Sequence, residues 1–388
     1  MDITLFFAGV FLLTLALGVL LEKIRIPWIF SALLIGLGLA TYNPFSDITS
    51  SSEFRFMATL GMYFMLFIIG FELDVKQIFS SNRFIFKTTM AVVFAEALIG
   101  SIIIHYIFHV GWSIAVLVAA SFATVGEEVL LPILDEFHIT KTKLGQAILG
   151  VGVLDDVVEV ATIVAASVLV GRSFGHGEVQ IWLNLAILGV LFLILFTVIK
   201  LRKEIVRFKF KDIKSSFLFV MFVFFSFLGL GMFAESAALG ALLAGMALKN
   251  MLPEKRLKFI ESEIITLAYG FFGPLFFVWV GLETDVSYLI KYPLLIILIL
   301  LMTNFTKIGT SVLVAHKNLG WRQSVVLGIG LCVKFSTSVV IIKYLFEKGL
   351  IMNDLYSVLI GTTILFKFIV PFSMSFFIKK WNLSPKKA

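Results

Sequence analysis

Thirteen apolar segments succeed one another along this chain of 388 residues, most of them near the roughly 20 residues a helix needs to cross hydrocarbon. They lie near 3–21, 28–41, 55–73, 84–108, 112–134, 143–170, 180–199, 215–233, 236–250, 263–282, 292–315, 322–346 and 355–378. In lipid the backbone must satisfy its own N–H and C=O groups, so segments of this length are read as helices. Composition agrees: 60% of residues are hydrophobic and 15% charged, where a soluble domain carries about a quarter charged. No soluble fold hides so much apolar surface. The expectation is an all-α polytopic membrane protein of about 13 transmembrane helices, forming one transmembrane domain over 1–388 with no soluble regulatory domain.

The net charge of +7 does not mark a nucleic-acid binder, because the positive residues are scattered over short loops. Twenty-four of the 32 Lys and Arg fall in the loops after odd-numbered segments and in the tail, and only Arg55, Arg172, Lys291 and Lys348 lie on the other side. Positive residues stay in the cytoplasm, which sets the amino terminus outside and the carboxyl terminus inside a cell (inner) membrane. The start, MDITLFF, lacks the positive region of a cleavable signal peptide, so the first segment is retained. The basic run from Lys200 to Lys214 is read as a topology determinant that meets anionic lipid headgroups, with room for short polar helices. The lone Cys332 excludes an internal disulfide and suits a zinc site poorly.

Within the sixth segment stand two adjacent acids, Asp155 and Asp156, in GVGVLDDVVEVATIV. A charge at that depth costs several kcal/mol or more unless it is paired, hydrated or protonated, and such residues are commonly functional. Successive helix positions point about 100° apart. One carboxylate can therefore face a fixed partner while the other faces a cavity. A cation and a proton competing for one carboxylate is by itself sufficient for exchange.

An internal repeat accompanies them. Ala32 to Gly36 (ALLIG) in the second segment echoes Ala241 to Gly245 (ALLAG) in the ninth. Leu66 to Val75 (LFIIGFELDV) echoes Phe276 to Val286 (FFVWVGLETDV). Each pair lies seven segments apart, and an odd offset runs the two halves in opposite directions through the membrane. Inverted repeats of this kind characterise secondary transporters, whose sites lie at the repeat interface near the midplane. The repeats are placed at 1–170 and 215–378, linked by the segment 180–199 and the basic loop 200–214. The same offset pairs the fifth segment (SFATVGEEVLLP) with the twelfth (GIGLCVKFSTSVV), and both are unsuited to a plain helix. The expectation is two discontinuous helices that cross beside Asp155 and Asp156, with carbonyls and half-helix ends exposed to a cation.

On these residues the chain resembles the bacterial monovalent cation:proton antiporters of the second large cation:proton antiporter family, and among them the NapA-like sodium/proton members. The matching stretches are LFIIGFELD (66–74), LGQAILGVGVLDDV (144–157), PLFFVWVGLETD (274–285) and NFTKIGTSVLVAHKNLGWRQSVVLGIGL (304–331). The resemblance implies an NhaA- and NapA-like fold and electrogenic exchange of a monovalent cation for protons by alternating access. It makes Asp156 the principal carrier of ion and proton, with sodium held at Asp156 and Asp155. Asp155 would pair with Lys307 in one state and join the ion site in another, and Thr124 matches the polar position at the break of the fifth segment. The potassium/proton branch usually has Gln before the Asp and a large soluble domain at the carboxyl end. Asp155 and the short tail therefore favour sodium or lithium. A homodimer is implied, as are lipids as neighbours and no cofactor beyond the transported cation and protons.

Several further residues have two readings. One of Glu127 and Glu128 lines the ion path while the other faces solvent or a lysine. Glu159 is either a proton relay or, the favoured reading, a partner for Lys334, Lys343 or Lys367. Glu96 is open in the same way, and Ser336 stands beside Lys334 as an accessory of the twelfth-segment break. The five histidines sit at segment ends or in loops and are taken as interfacial. Other functions weighed are a potassium/proton antiporter and a sodium-coupled symporter of an organic anion. A channel would need a TVGYG-like loop. An intramembrane aspartyl protease would need acids from separate segments around one water, and these two are neighbours, so no enzyme is expected.

Overall fold

The structure is a computed structural model that describes residues 2–24, 26–73, 82–173, 178–200, 213–233, 236–251, 254–334 and 336–383. Among the described residues the chain is all-helical, without strands. The first four segments form α1 (Ile3–Glu22), α2 (Phe30–Thr41), α3 (Ser52–Glu72) and α4 (Arg83–Phe108). The fifth is split into α5 (Trp112–Phe122) and α6 (Glu127–Glu136). There follow α7 (Lys143–Ser173), α8 (Glu178–Lys200), α9 (Ile213–Phe233) and α10 (Ala237–Met251). The tenth segment comprises α11 (Glu254–Ile265), a π-helical turn (Thr266–Phe272) and α12 (Gly273–Leu282). A short α13 (Val286–Lys291) leads to α14 (Pro293–Leu319), the twelfth segment is split into α15 (Trp321–Leu331) and α16 (Ser336–Glu347), and α17 (Asn353–Lys380) closes the order.

All thirteen segments thus hold helix, and seven described helices are long and apolar enough to cross a membrane uninterrupted. Local chemistry sets several ends. The side chains of Ser51, Asn82 and Asp285 accept hydrogen bonds from the amides of Phe54, Phe84 and Tyr288 at the starts of α3, α4 and α13. Each satisfies one of the orphan N–H groups of a first turn. Gly320, at φ +80°, makes the tight reversal between α14 and α15, a conformation that suits a residue without a Cβ. One expectation is corrected: the tenth segment starts in helix at Glu254, not near 263. Leu257, Ile260 and Ile264 recur at helical spacing among charges, so this stretch forms an amphipathic helix, with Ile260 and Ile264 buried. Residues 201–212, where short polar helices were expected, lie outside the described residues.

The chain divides into two compact units, the first comprising Met1–Phe7, Phe45–Leu73 and Ile163–Trp279. In it α10 is buried along most of its length, from Ala237 to Leu248, and packs against α3 and α9. A Cβ on Gly70 would meet the carbonyl of Leu242, and one on Gly245 would meet the backbone at Phe67 and Phe71. Small residues of this kind let two helix backbones approach closely inside a membrane. Beside the crossing, the Phe64 ring is stacked between Phe224 (4.4 Å) and Phe272 (4.7 Å).

The second unit comprises Ala8–Pro44, Asp74–Thr162 and Val280–Ala388. Here Gly281 lies against the backbone of α2 at Leu33, Gly36 and Leu37. The echoing motifs therefore pack reciprocally. In one unit the LFIIG motif meets ALLAG, and in the other Gly281, the last residue of FFVWVG, meets ALLIG. Such reciprocity is what a pseudo-two-fold relation between inverted repeats requires. The second unit also holds both broken helices and the acids and lysines around them.

Candidate site at the crossing of two broken helices

In the fifth segment, helix stops after Phe122 and resumes at Glu127; in the twelfth it stops after Leu331 and resumes at Ser336. Both interruptions fall where glycine and polar residues dilute the apolar sequence. The two breaks touch: the amide of Gly126 donates to the carbonyl of Val333 at 3.0 Å, and the Thr124 and Ser338 hydroxyls are 2.6 Å apart. Thr124 Oγ1 also donates to the Ser121 carbonyl at 2.9 Å.

Ending a helix inside a membrane leaves carbonyls without intrahelical partners at the negative end of its dipole. Two buried lysines answer that need. Lys307 Nζ, from α14, donates to the carbonyls of Ala123 and Leu331, each at 2.6 Å, and so ties the ends of α5 and α15 together. Lys334, in the second break, donates to the carbonyls of Phe122 and of Thr124, the latter at 3.2 Å. Its ammonium also lies 4.8 Å from the centre of the Phe122 ring. Both lysines are fully buried.

Glu96, on α4, supplies the charge opposite both. Its Oε2 is 3.2 Å from Lys307 Nζ and its Oε1 is 3.3 Å from Lys334 Nζ. Thr303, one helical turn before Lys307, donates to Oε1 at 2.9 Å. Asp155 is buried as well, and its Oδ2 accepts from the amide of Val125 at 2.5 Å. Its other oxygen, Oδ1, is buried and has no hydrogen-bond partner among the described residues. Glu96 and Asp155 as carboxylates and Lys307 and Lys334 as ammonium groups sum to zero charge, the condition under which four such groups are tolerable at this depth.

The arrangement brings together Thr124, Asp155, Lys307 and Lys334, with Glu96 and Ser338 added. Of the remaining candidates, Asp156 and Glu159 lie on α7 beside and one turn beyond Asp155, Glu127 and Glu128 open α6, and Ser336 opens α16. The side chains of those five fall outside the described residues. In this structure the acid on Lys307 is Glu96, and Asp155 is turned to the Val125 amide, so the pairing expected in one state of the cycle is not the one seen here. Lys334 likewise finds Glu96. Lys343 finds Glu283 and, at 2.7 Å, Glu347. Two of the three partners proposed for Glu159 are thus taken up by other acids. The sequence leaves Glu96 ambiguous and marks Ser338 only as one of the polar residues of the twelfth segment. The signal for Glu96 was charge balance, since each intramembrane lysine needs an acid.

Among the described residues no group of three or more His, Cys, Asp or Glu is placed to hold a metal ion. At the crossing stand Asp155 Oδ1, without a partner among the described residues, the Thr124 and Ser338 hydroxyls, and unwound backbone.

Comparisons with known proteins bear on the family and the fold. A family model described as "Sodium/hydrogen exchanger, transmembrane" matches residues 9–380. The chain is 25% identical over 378 residues to "Probable Na(+)/H(+) antiporter 3" of Methanocaldococcus jannaschii, covering 95% of each. It is 25% identical over 376 residues to "Na(+)/H(+) antiporter" of Enterococcus hirae, covering 92% of this chain and 94% of the relative. The solved structure of the sodium proton antiporter MjNhaP1 from Methanocaldococcus jannaschii at pH 8 superposes with a TM-score of 0.70 at 16% identity. That alignment covers 96% of this chain and 98% of the other.

Proposed function

The chain belongs to the transmembrane sodium/hydrogen exchanger family, and from that premise we propose that it exchanges sodium or lithium, ahead of potassium, for protons at Asp155 and Asp156. The observation that carries the reading is Asp155 Oδ1, a buried carboxylate oxygen without a partner among the described residues where two broken helices cross. Asp156 follows on the same helix and is assigned the principal load. Thr124 adds a hydroxyl oxygen, and Lys307 couples the cation to the second proton. In the state where Lys307 is paired with Asp155, a cation that breaks the pair leaves a desolvated ammonium that gives up its proton. Two protons then move against one monovalent ion, and transport is electrogenic. The titration belongs to the cluster rather than to one residue.

The exchanger lies in the cell membrane with its amino terminus outside and its carboxyl terminus in the cytoplasm, as a homodimer in contact with anionic lipid. The excess of Lys and Arg in alternate loops supports that orientation. The relatives' names support the sodium preference, since both are called Na(+)/H(+) antiporters. Everted vesicles carrying a pH-sensitive dye test the reading. Sodium and lithium are expected to evoke proton movement at lower concentration than potassium, with apparent affinity for sodium rising as pH rises, because fewer protons then compete. A voltage-clamping ionophore should accelerate the exchange. A larger response to potassium, or no effect of the ionophore, would overturn the selectivity or the electrogenicity respectively.

A further inference from the structure

We infer that Glu96 is a positioning residue that holds Lys307 away from Asp155 and thereby sets the cation affinity of the site; the inference rests on exchange at Asp155 as proposed above. Lys307 feels the charge of both Glu96 and Asp155. The structure shows it on Glu96, at 3.2 Å, with the Ala123 and Leu331 carbonyls completing its hydrogen bonds. Glu96 is itself fixed from three directions: by Lys307 on α14, by Lys334 in the break between α15 and α16, and by the Thr303 hydroxyl. Two ammonium groups and a hydroxyl thus hold the Glu96 side chain in place.

The consequence falls on Asp155. With Lys307 engaged elsewhere, Asp155 bonds the Val125 amide through Oδ2, and among the described residues nothing occupies Oδ1. Were Glu96 neutral, Lys307 would lose its acid, and among the described acids at the crossing Asp155 alone would remain for it. An ammonium on Asp155 competes with any cation for the same oxygen. Glu96 therefore raises affinity without touching the ion. A charge-neutral replacement weakens binding by returning the lysine to the carboxylate that the ion needs.

The experiment is sodium-driven proton exchange in vesicles, with folded transporter quantified by fluorescence-detected size exclusion, for wild type, Glu96→Gln, Glu96→Asp and Thr303→Val. Glu96→Gln is expected to raise the sodium KM about tenfold or more while the maximal rate per folded molecule changes less, since a buried pair that loses one partner is strongly perturbed. Glu96→Asp keeps the charge and should recover most of the lost affinity. Thr303→Val removes only the hydroxyl that steadies Oε1 and should raise KM by a few-fold. A KM unchanged in Glu96→Gln, or equally weakened in Gln and Asp variants, overturns the inference. Should Glu96→Gln fail to fold, Thr303→Val decides: a raised KM supports the inference and an unchanged KM overturns it. If wild type itself moves no protons in response to sodium, the functional proposal fails instead, so the two failures are distinguishable.

Discussion

A buried ammonium group needs an opposite charge and acceptors for three N–H bonds, and Lys307 obtains both from the crossing itself. Its two carbonyl acceptors come from different helix ends, Ala123 and Leu331, so one side chain fastens α5 to α15. Removing it leaves two unsatisfied helix termini and returns Glu96 to a single lysine. Lys307→Ala is therefore expected to cost about 3–5 kcal/mol, the range for breaking one partner out of a buried pair, and to lower the thermal unfolding midpoint in detergent. Lys348→Ala, outside the crossing, serves as the control and should leave the midpoint in place. Equal midpoints for the two variants would refute the fastening role. At this scale the sequence was half legible. Asp155, Thr124 and Lys307 were visible as polar residues stranded in apolar runs. The partner of Lys307 was not, because Glu96 lies 211 positions away and only the rotation of α4 about its axis decides which face meets α14.

The helices are held by close backbone approach where the chain spends its glycines, and two of those contacts explain why the repeat motifs share a sequence. ALLAG packs on LFIIG through Gly245 and Gly70, and ALLIG packs on FFVWVG through Gly36 and Gly281. What reads in the sequence as a faint echo is thus a steric requirement met twice. Gly245→Leu would drive a side chain into the backbone of α3 at Phe67 and Phe71, where no rotamer change makes room. We expect this variant to yield little folded protein by size exclusion, whereas Gly309→Leu, which faces open space, should express normally. Similar yields for both would show that the crossing is not tight. The helix breaks were legible from Gly, Thr and charge clustering in the fifth and twelfth segments. The early start of the tenth was not, because its first two turns are polar enough to pass for a loop.

Across the whole molecule, apolar surface and buried charge divide the work. Large side chains such as Leu12, Phe222, Phe305 and Phe372 stand exposed, a cost in water but the ordinary condition in lipid. The charges within the segments gather instead around the two breaks and at the Lys343 cluster. Composition and segment length made the all-helical membrane fold plain, since nothing else satisfies so many apolar backbones. The function follows from what a membrane protein would otherwise have no reason to keep: neighbouring acids in mid-span, with buried lysines at the same crossing. The most direct test is sodium-driven proton movement by Asp156→Asn in proteoliposomes, alongside a check that the protein remains folded. The account predicts that folded Asp156→Asn moves no protons when sodium is added, while wild type does; proton movement at the wild-type rate in that variant would contradict it.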